Sequence, residues 1–255
     1  MQKAYAQINS GTNFAEITCP EADIEVMPGV PWGLFEATYT PANWLYLVEA
    51  RKHAGKPINN KIGSTLLEEV CACLLGGYGI PAYVGLAAFK ALNDRDAFNG
   101  THWPEKTISE WLMEPLVIDG KPVRYRFANQ KAKYIAGAIE YLTTHQMPME
   151  TGISLRNSLL NVRGAGYKTC SWIARNILNA DDIAILDIHI LRAGKIAGFL
   201  DPTLTVQKDY LKLEEQFIAF SKALGTRASE LDAEIWYQFS NNSRLTHQIM
   251  RDINS

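Results

Sequence analysis

Cysteine is scarce in this chain: four among 255 residues, Cys19, Cys71, Cys73 and Cys170. One C-x-C pair with two distant partners matches no standard zinc ribbon and no four-cysteine iron–sulfur cluster. Cys71 and Cys73 fall in an apolar run, residues 70–75, which predicts buried, reduced thiols and no transition-metal site. Long hydrophobic runs are also missing: nothing approaches the roughly 18–20 apolar residues of a membrane span, so no membrane partner is expected. The first residues, Met1 to Gln7, lack the apolar core of a signal peptide, which makes the cytoplasm the expected location. There is no internal repeat and no low-complexity segment. An excess of one charge is absent too, with 25 Lys and Arg against 27 Asp and Glu. Taken alone, that near-balance argues against a nucleic-acid partner.

What is present is an ordinary globular composition, 47% hydrophobic and 20% charged, in a chain long enough to bury one large core or two small ones. The charge is segregated. Residues 120–139 hold Lys121, Arg124, Arg126, Lys131 and Lys133 and no acid; residues 151–180 hold Arg156, Arg163, Lys168 and Arg175, again without an acid. The two windows carry +9, which leaves −11 for the rest of a chain whose net charge is −2. A local anion-binding face and a pair of merely solvated helix faces both fit that pattern.

Residues 9–40 are rich in turn formers and alternate in places, which predicts short strands and loops. From about Pro41 the pattern turns helical. Helices are predicted over 43–52, 65–75 (with Ser64 as N-cap), 82–92, 108–113, 129–143, 153–161, 167–178, 188–196, 206–223 and 228–239. The fold class is therefore mainly α, with a small irregular or β-containing N-terminal segment.

One stretch carries chemistry. Between the predicted helices 153–161 and 167–178 stands Asn161-Val-Arg163-Gly164-Ala-Gly166-Tyr-Lys168. Two glycines one residue apart permit a tight turn and close approach of a partner to the backbone. The turn opens onto a helix start, where unpaired N–H groups and the helix dipole favour an anion such as phosphate. A simple short connection would use the same residues. Further on, the apolar run 183–186 delivers Asp187 immediately before another helical pattern, where it is placed as an N-cap.

The Gly-x-Gly-x-Lys turn with Asp187 nineteen residues beyond Lys168 resembles the helix-hairpin-helix DNA glycosylase (HhH-GPD) superfamily, and within it the 8-oxoguanine DNA glycosylase/lyases of compact prokaryotic type. The segments Arg126-Phe-Ala-Asn-Gln-Lys131-Ala-Lys133-Tyr-Ile135, Lys168 to Asn176, Ile185 to Arg192 and Leu231 to Tyr237 are similar as well. The likeness runs from about Ser64 to the C-terminus. It departs from the family at Arg163, where Pro is usual, and at Gly76-Gly77-Tyr78, where relatives carry a polar DNA-inserting loop.

The resemblance implies a two-subdomain helical HhH-GPD fold over 63–255, with the hairpin at about 153–178 and an N-terminal segment over 1–62. It implies double-stranded DNA with a damaged or modified base as partner. Lys168 is then the amine nucleophile and Asp187 the carboxylate beside it. Trp172, Asp232, Glu234 and Trp236 are candidates for the base pocket, and Tyr78 and Ile80 for a wedge. Arg163, Gly164, Gly166, His189, Arg124, Arg126, Lys131 and Lys133 are candidates for the DNA backbone. Trp172 reads equally well as core, and either acid alone as surface. No cofactor is implied beyond K⁺ or Na⁺ on hairpin carbonyls near 161–166.

To attack, the Lys168 amine must be uncharged; burial, neighbouring Arg residues and the positive end of its helix would all disfavour the ammonium form. The expected activity is excision of an oxidised purine, 8-oxoguanine above others, through a Schiff base and β-elimination. Two other readings remain open at this point: a noncatalytic helix-hairpin-helix DNA-binding module, and a family member redirected to another modified base or nucleic acid, as in antiviral defence.

Overall fold

The computed structural model describes residues 1–9, 11–56, 58, 61–77 and 79–241. The chain forms two compact units, one from residues 1–59 and 181–255, the other from residues 60–180. Of the expected N-terminal segment, 1–62, the first 59 residues share a unit with residues 181–255. The physical reason is a common core, described next.

The discontinuous unit begins with two antiparallel strands, β1 (Gln2–Gln7) and β2 (Phe14–Cys19), in the register Gln2 to Cys19, and a short pair, β3 (Glu25–Met27) with β4 (Val30–Pro31). Alternation turns Ala6, Ile17 and Cys19 inward. Helix α1 (Pro41–His53) is capped by the Thr40 hydroxyl, which accepts the Asn43 amide at 3.1 Å. After the other unit the chain returns as α8 (Ile188–Ala197), α9 (Val206–Leu224) and α10 (Ala228–Asn241). The rings of Tyr39, Trp44 and Phe239 stack on one another, with Tyr39 5.1 Å from Trp44 and 4.7 Å from Phe239 and those two 6.0 Å apart, so aromatic residues from both ends of the sequence fill one core. Asp181 accepts the Ser229 amide at 3.0 Å and Arg227 Nε at 2.6 Å at the start of α10. Burial pushes its carboxyl up, and these hydrogen bonds more than offset that, holding it below the usual carboxylate range.

The continuous unit holds α2 (Leu66–Leu75), α3 (Ala82–Asn93), α4 (Glu105–Met113), β5 (Leu116–Ile118), β6 (Lys121–Val123), α5 (Ala128–Thr144), α6 (Gly152–Leu159) and α7 (Tyr167–Leu178). Its core gathers Val70, Leu74, Leu92, Ile108, Leu112, Ile135, Ile139, Leu155, Leu159 and Ile173, all fully or nearly fully buried. Thr65 rather than Ser64 caps α2, accepting the Glu68 amide at 3.2 Å, while the Ser64 amide donates back to the Glu68 carboxylate at 2.7 Å. Glu69 is fully buried and ties three segments together: it accepts the amides of Ile62 and Gly63 at 2.8 and 2.7 Å and the Asn176 side chain at 2.6 Å. The β5–β6 hairpin was not anticipated. Asp119 and Gly120, both at positive φ, make its two-residue turn.

The mainly helical expectation holds, with ten helices and three small strand pairs among the described residues. Among those residues no helix is long and apolar enough to cross a membrane. Cys71 and Cys170 are buried and Cys73 half-buried; burial pushes all three thiols up, Cys170 to about 12, and no cysteine is in a disulfide.

Candidate active site

In the continuous unit, α6 starts from a capping box in which Thr151 and Ser154 exchange side-chain and amide hydrogen bonds at 3.0 and 3.2 Å. The chain then turns through residues 160–166, with buried Val162 as its anchor. Gly164 has φ +90°, and a Cβ there would run into the ring of Tyr134 from α5, so both backbone and space demand glycine. Gly166 differs. It is the N-cap of α7 in ordinary extended backbone, it is exposed, and a Cβ would meet nothing within 4 Å. The turn therefore presents an uncovered helix start, the geometry that receives an anion.

Gly164→Ala is accordingly expected to destabilise by roughly 2–4 kcal/mol, through left-handed strain and the collision with Tyr134. Gly166→Ala is expected to cost within about 1 kcal/mol and to weaken duplex binding by placing a methyl group where a phosphate would sit. Urea unfolding and duplex titration of both variants check the contrast.

Lys168 stands in the first turn of α7 and is exposed. Of the surroundings expected for it, the helix start is present and burial is not. Trp172, one turn along, is half-buried; its indole Nε1 is buried and makes no hydrogen bond among the described residues. Arg163, Arg124, Arg126 and Lys133 are exposed, whereas Arg156 and Arg175 of the same acid-free windows are buried. The Tyr134 ring beneath Gly164 brings α5 and the hairpin together.

Lys131 is not a solvent-facing phosphate contact. It is half-buried, its ammonium donates to the carbonyls of Leu74 and Gly76 at the end of α2, and burial lowers its pKa. Ile80 is half-buried, its amide closing a turn onto Gly77 O at 3.1 Å; Tyr78, the other wedge candidate, lies outside the described residues. In the hairpin, the carbonyls of Asn161, Arg163 and Gly164 accept no backbone hydrogen bond among the described residues, so acceptors for a monovalent cation are at hand. Those residues contain no group of three or more His, Cys, Asp or Glu side chains arranged to hold a metal ion.

In the discontinuous unit, the run Ile183 to Leu186 is buried and delivers Asp187 to the N-cap of α8. Its Oδ1 accepts the amides of His189 at 2.8 Å and Ile190 at 3.0 Å; Oδ2 accepts no hydrogen bond among the described residues. The carboxylate is held by one oxygen and offers the other. Two residues of α9 that sequence reasoning missed pin the segment before it. Glu214 accepts the Ala184 amide at 3.0 Å, and the Tyr210 hydroxyl donates to Ala184 O at 2.8 Å while accepting the Leu186 amide at 3.3 Å. Their signal was an acid and a tyrosine four apart on the apolar face of a helix.

His189 is half-buried with its ring edge-on to Phe239 of α10 at 5.9 Å. On α10, Trp236 is 39% exposed and Asp232 is 5% exposed. Glu234 is not an available base acceptor: it is buried, ion-paired with Arg51 of α1, and also accepts Gln238 Nε2 at 2.7 Å. Arg51 in turn lies 4.1 Å over the Tyr237 ring.

A protein-family model described as 8-oxoguanine DNA glycosylase matches residues 48–226. Among curated proteins, the 8-oxoguanine DNA glycosylase/AP lyase of Methanocaldococcus jannaschii is 28% identical over 196 residues, spanning 75% of this chain and 88% of the relative. The protein of the same name from Picrophilus torridus is 29% identical over 199 residues, spanning 75% and 87%. Among solved structures, the M. jannaschii 8-oxoguanine DNA glycosylase is similar with a TM-score of 0.59 at 24% identity, covering 78% of this chain and 94% of that one. That of Thermotoga maritima gives 0.55 at 23% identity, covering 77% and 96%.

Proposed function

Because the chain belongs to the 8-oxoguanine DNA glycosylase family, we propose that it removes 8-oxoguanine from double-stranded DNA and then cleaves the strand as an AP lyase. Its M. jannaschii relative bears that name, and a structure of that enzyme holds a 15-mer DNA containing 8-oxoguanine. The observation that carries the reading is the Asp187 carboxylate, fixed through Oδ1 by two α8 amides while Oδ2 accepts no hydrogen bond among the described residues, in a chain whose hairpin has an exposed Lys168 at a helix start.

A base inside a duplex is out of reach, so the nucleotide is first extruded. Lys168 Nζ then bonds to C1′ as the C1′–N bond to the purine breaks. Charge developing on the sugar is stabilised by the Asp187 carboxylate. Opening of the sugar ring gives the Schiff base. Loss of a C2′ proton expels the 3′ phosphate, and water hydrolyses the imine to free Lys168. Because Lys168 is exposed, bound DNA supplies the desolvation that the amine requires. Arg163, Arg124, Arg126 and Lys133 hold backbone phosphates without reading sequence. A K⁺ or Na⁺ on the carbonyls of Asn161, Arg163 and Gly164 would add positive charge beside the phosphate. The same reading places the protein in the cytoplasm.

The test is a panel of duplexes carrying 8-oxoguanine, other modified bases or an abasic site, scored for free base, strand cleavage and borohydride-trapped adduct. Release of 8-oxoguanine with an adduct supports the proposal. Binding without adduct or cleavage identifies a DNA-binding module, and excision of a different base alone identifies another substrate.

A further inference from the structure

The last turn of a helix leaves carbonyls without intrahelical partners. At the end of α2 neither a basic residue of its own last turn nor a backbone cap satisfies them. The acceptors are filled from elsewhere. Tyr125, 1% exposed, donates its hydroxyl to Leu75 O at 2.5 Å, and Lys131 donates to Leu74 O and, at 2.8 Å, to Gly76 O. The donors flank the start of α5, Tyr125 just before it and Lys131 in its first turn, and Arg124 and Arg126 on either side of Tyr125 are exposed to solvent.

Beyond Gly76 the chain passes through Gly77 at φ +106° and Gly79 at φ +77° before Ile80 and the start of α3. A Cβ on Gly79 would lie 3.8 Å from the Phe127 ring, and the Arg126 guanidinium sits 5.2 Å over that ring. From the other side, Gly85 of α3 comes so close to Gly76 that a Cβ there would be 3.2 Å from its Cα. The glycine turn is thus clamped by the very segment that presents two exposed arginines. With its Nζ donating to two carbonyls, Lys131 is built into the fold rather than offered to a ligand.

We propose that Tyr125 and Lys131 are positioning residues, which by holding the end of α2 fix Gly77, Gly79 and Ile80 beside Phe127 and Arg126, so that this turn fills the base stack when a nucleotide leaves it. The inference rests on the glycosylase/lyase reading and adds where the extrusion machinery is anchored. Extrusion pays for unpairing and unstacking. An abasic site has no base to extrude, so loss of the clamp separates the two reactions.

In single-turnover assays, Lys131→Met, which keeps the buried stem and loses the donors, is expected to slow 8-oxoguanine excision about tenfold or more. Cleavage at a preformed abasic site in the same duplex is expected to stay within about threefold. Lys131→Arg restores most of the loss. Should Lys131→Met fail to fold, Tyr125→Phe is measured in the same way and shifts the ratio in the same direction by a smaller factor. An equal fall in both reactions, or no fall in excision, overturns the proposal. If the wild-type chain excises no base at all, the glycosylase reading fails by itself. The clamp is then read from 2-aminopurine placed beside an abasic site, whose fluorescence change on binding must be lost in Lys131→Met; its retention overturns the proposal.

Discussion

Lys168→Gln is expected to remove the borohydride-trapped adduct and to lower both excision and abasic-site cleavage by about 10³-fold or more, the scale on which enzymes lose rate when a nucleophile is deleted. The variant keeps a polar side chain of similar reach on an exposed first-turn position of α7, where surface substitutions change stability by about 0.5 kcal/mol or less. Its unfolding midpoint therefore stays near the wild-type value, and duplex affinity drops only by the share of one cation. Gel analysis after borohydride treatment, with a urea unfolding curve for each protein, checks both halves. A full-strength adduct in the variant would assign the amine to another residue.

Asp187→Asn separates two jobs that one side chain performs. Asn is as good an N-cap as Asp, so the amides of His189 and Ile190 keep an oxygen acceptor and α8 keeps its start. What disappears is the negative charge beside the developing cation. Excision is expected to fall about 10²- to 10⁴-fold with little change in stability. Asp187→Ala is expected to match that loss of rate and to cost about 1 kcal/mol besides, because the cap goes with the charge. Equal rates for the Asn variant and wild type would leave Asp187 as a capping residue and nothing more.

Much of the architecture was legible in the sequence because it follows from local signals. The α7 bounds, 167–178, follow from two glycines ahead of an apolar periodicity, and the Asp187 cap from a carboxylate between a buried run and a helical one. What was not legible depends on partners distant along the chain. Lys131 has the same charge whether it faces solvent or the carbonyls of Leu74 and Gly76, so an acid-free window made it look like a phosphate contact. Glu234 lies on a helix that suggested a base pocket, and its partner Arg51 is 183 residues away. Burial of Arg156 and Arg175 was hidden for the same reason. The pairing of residues 1–59 with 181–255 rests on aromatic stacking across almost the whole sequence, which no local pattern announces.

That pairing governs how the protein can be made. At about 5–20 residues added per second, roughly 10–40 s separate the emergence of Trp44 from that of Phe239. Throughout that interval Trp32, Phe35, Tyr39 and Trp44 have no core to enter, while residues 60–180 emerge as an unbroken stretch with a core of their own. The nascent chain thus carries a greasy leader for most of its time on the ribosome, a natural client for chaperones. A premature stop after α7 would leave that leader permanently orphaned.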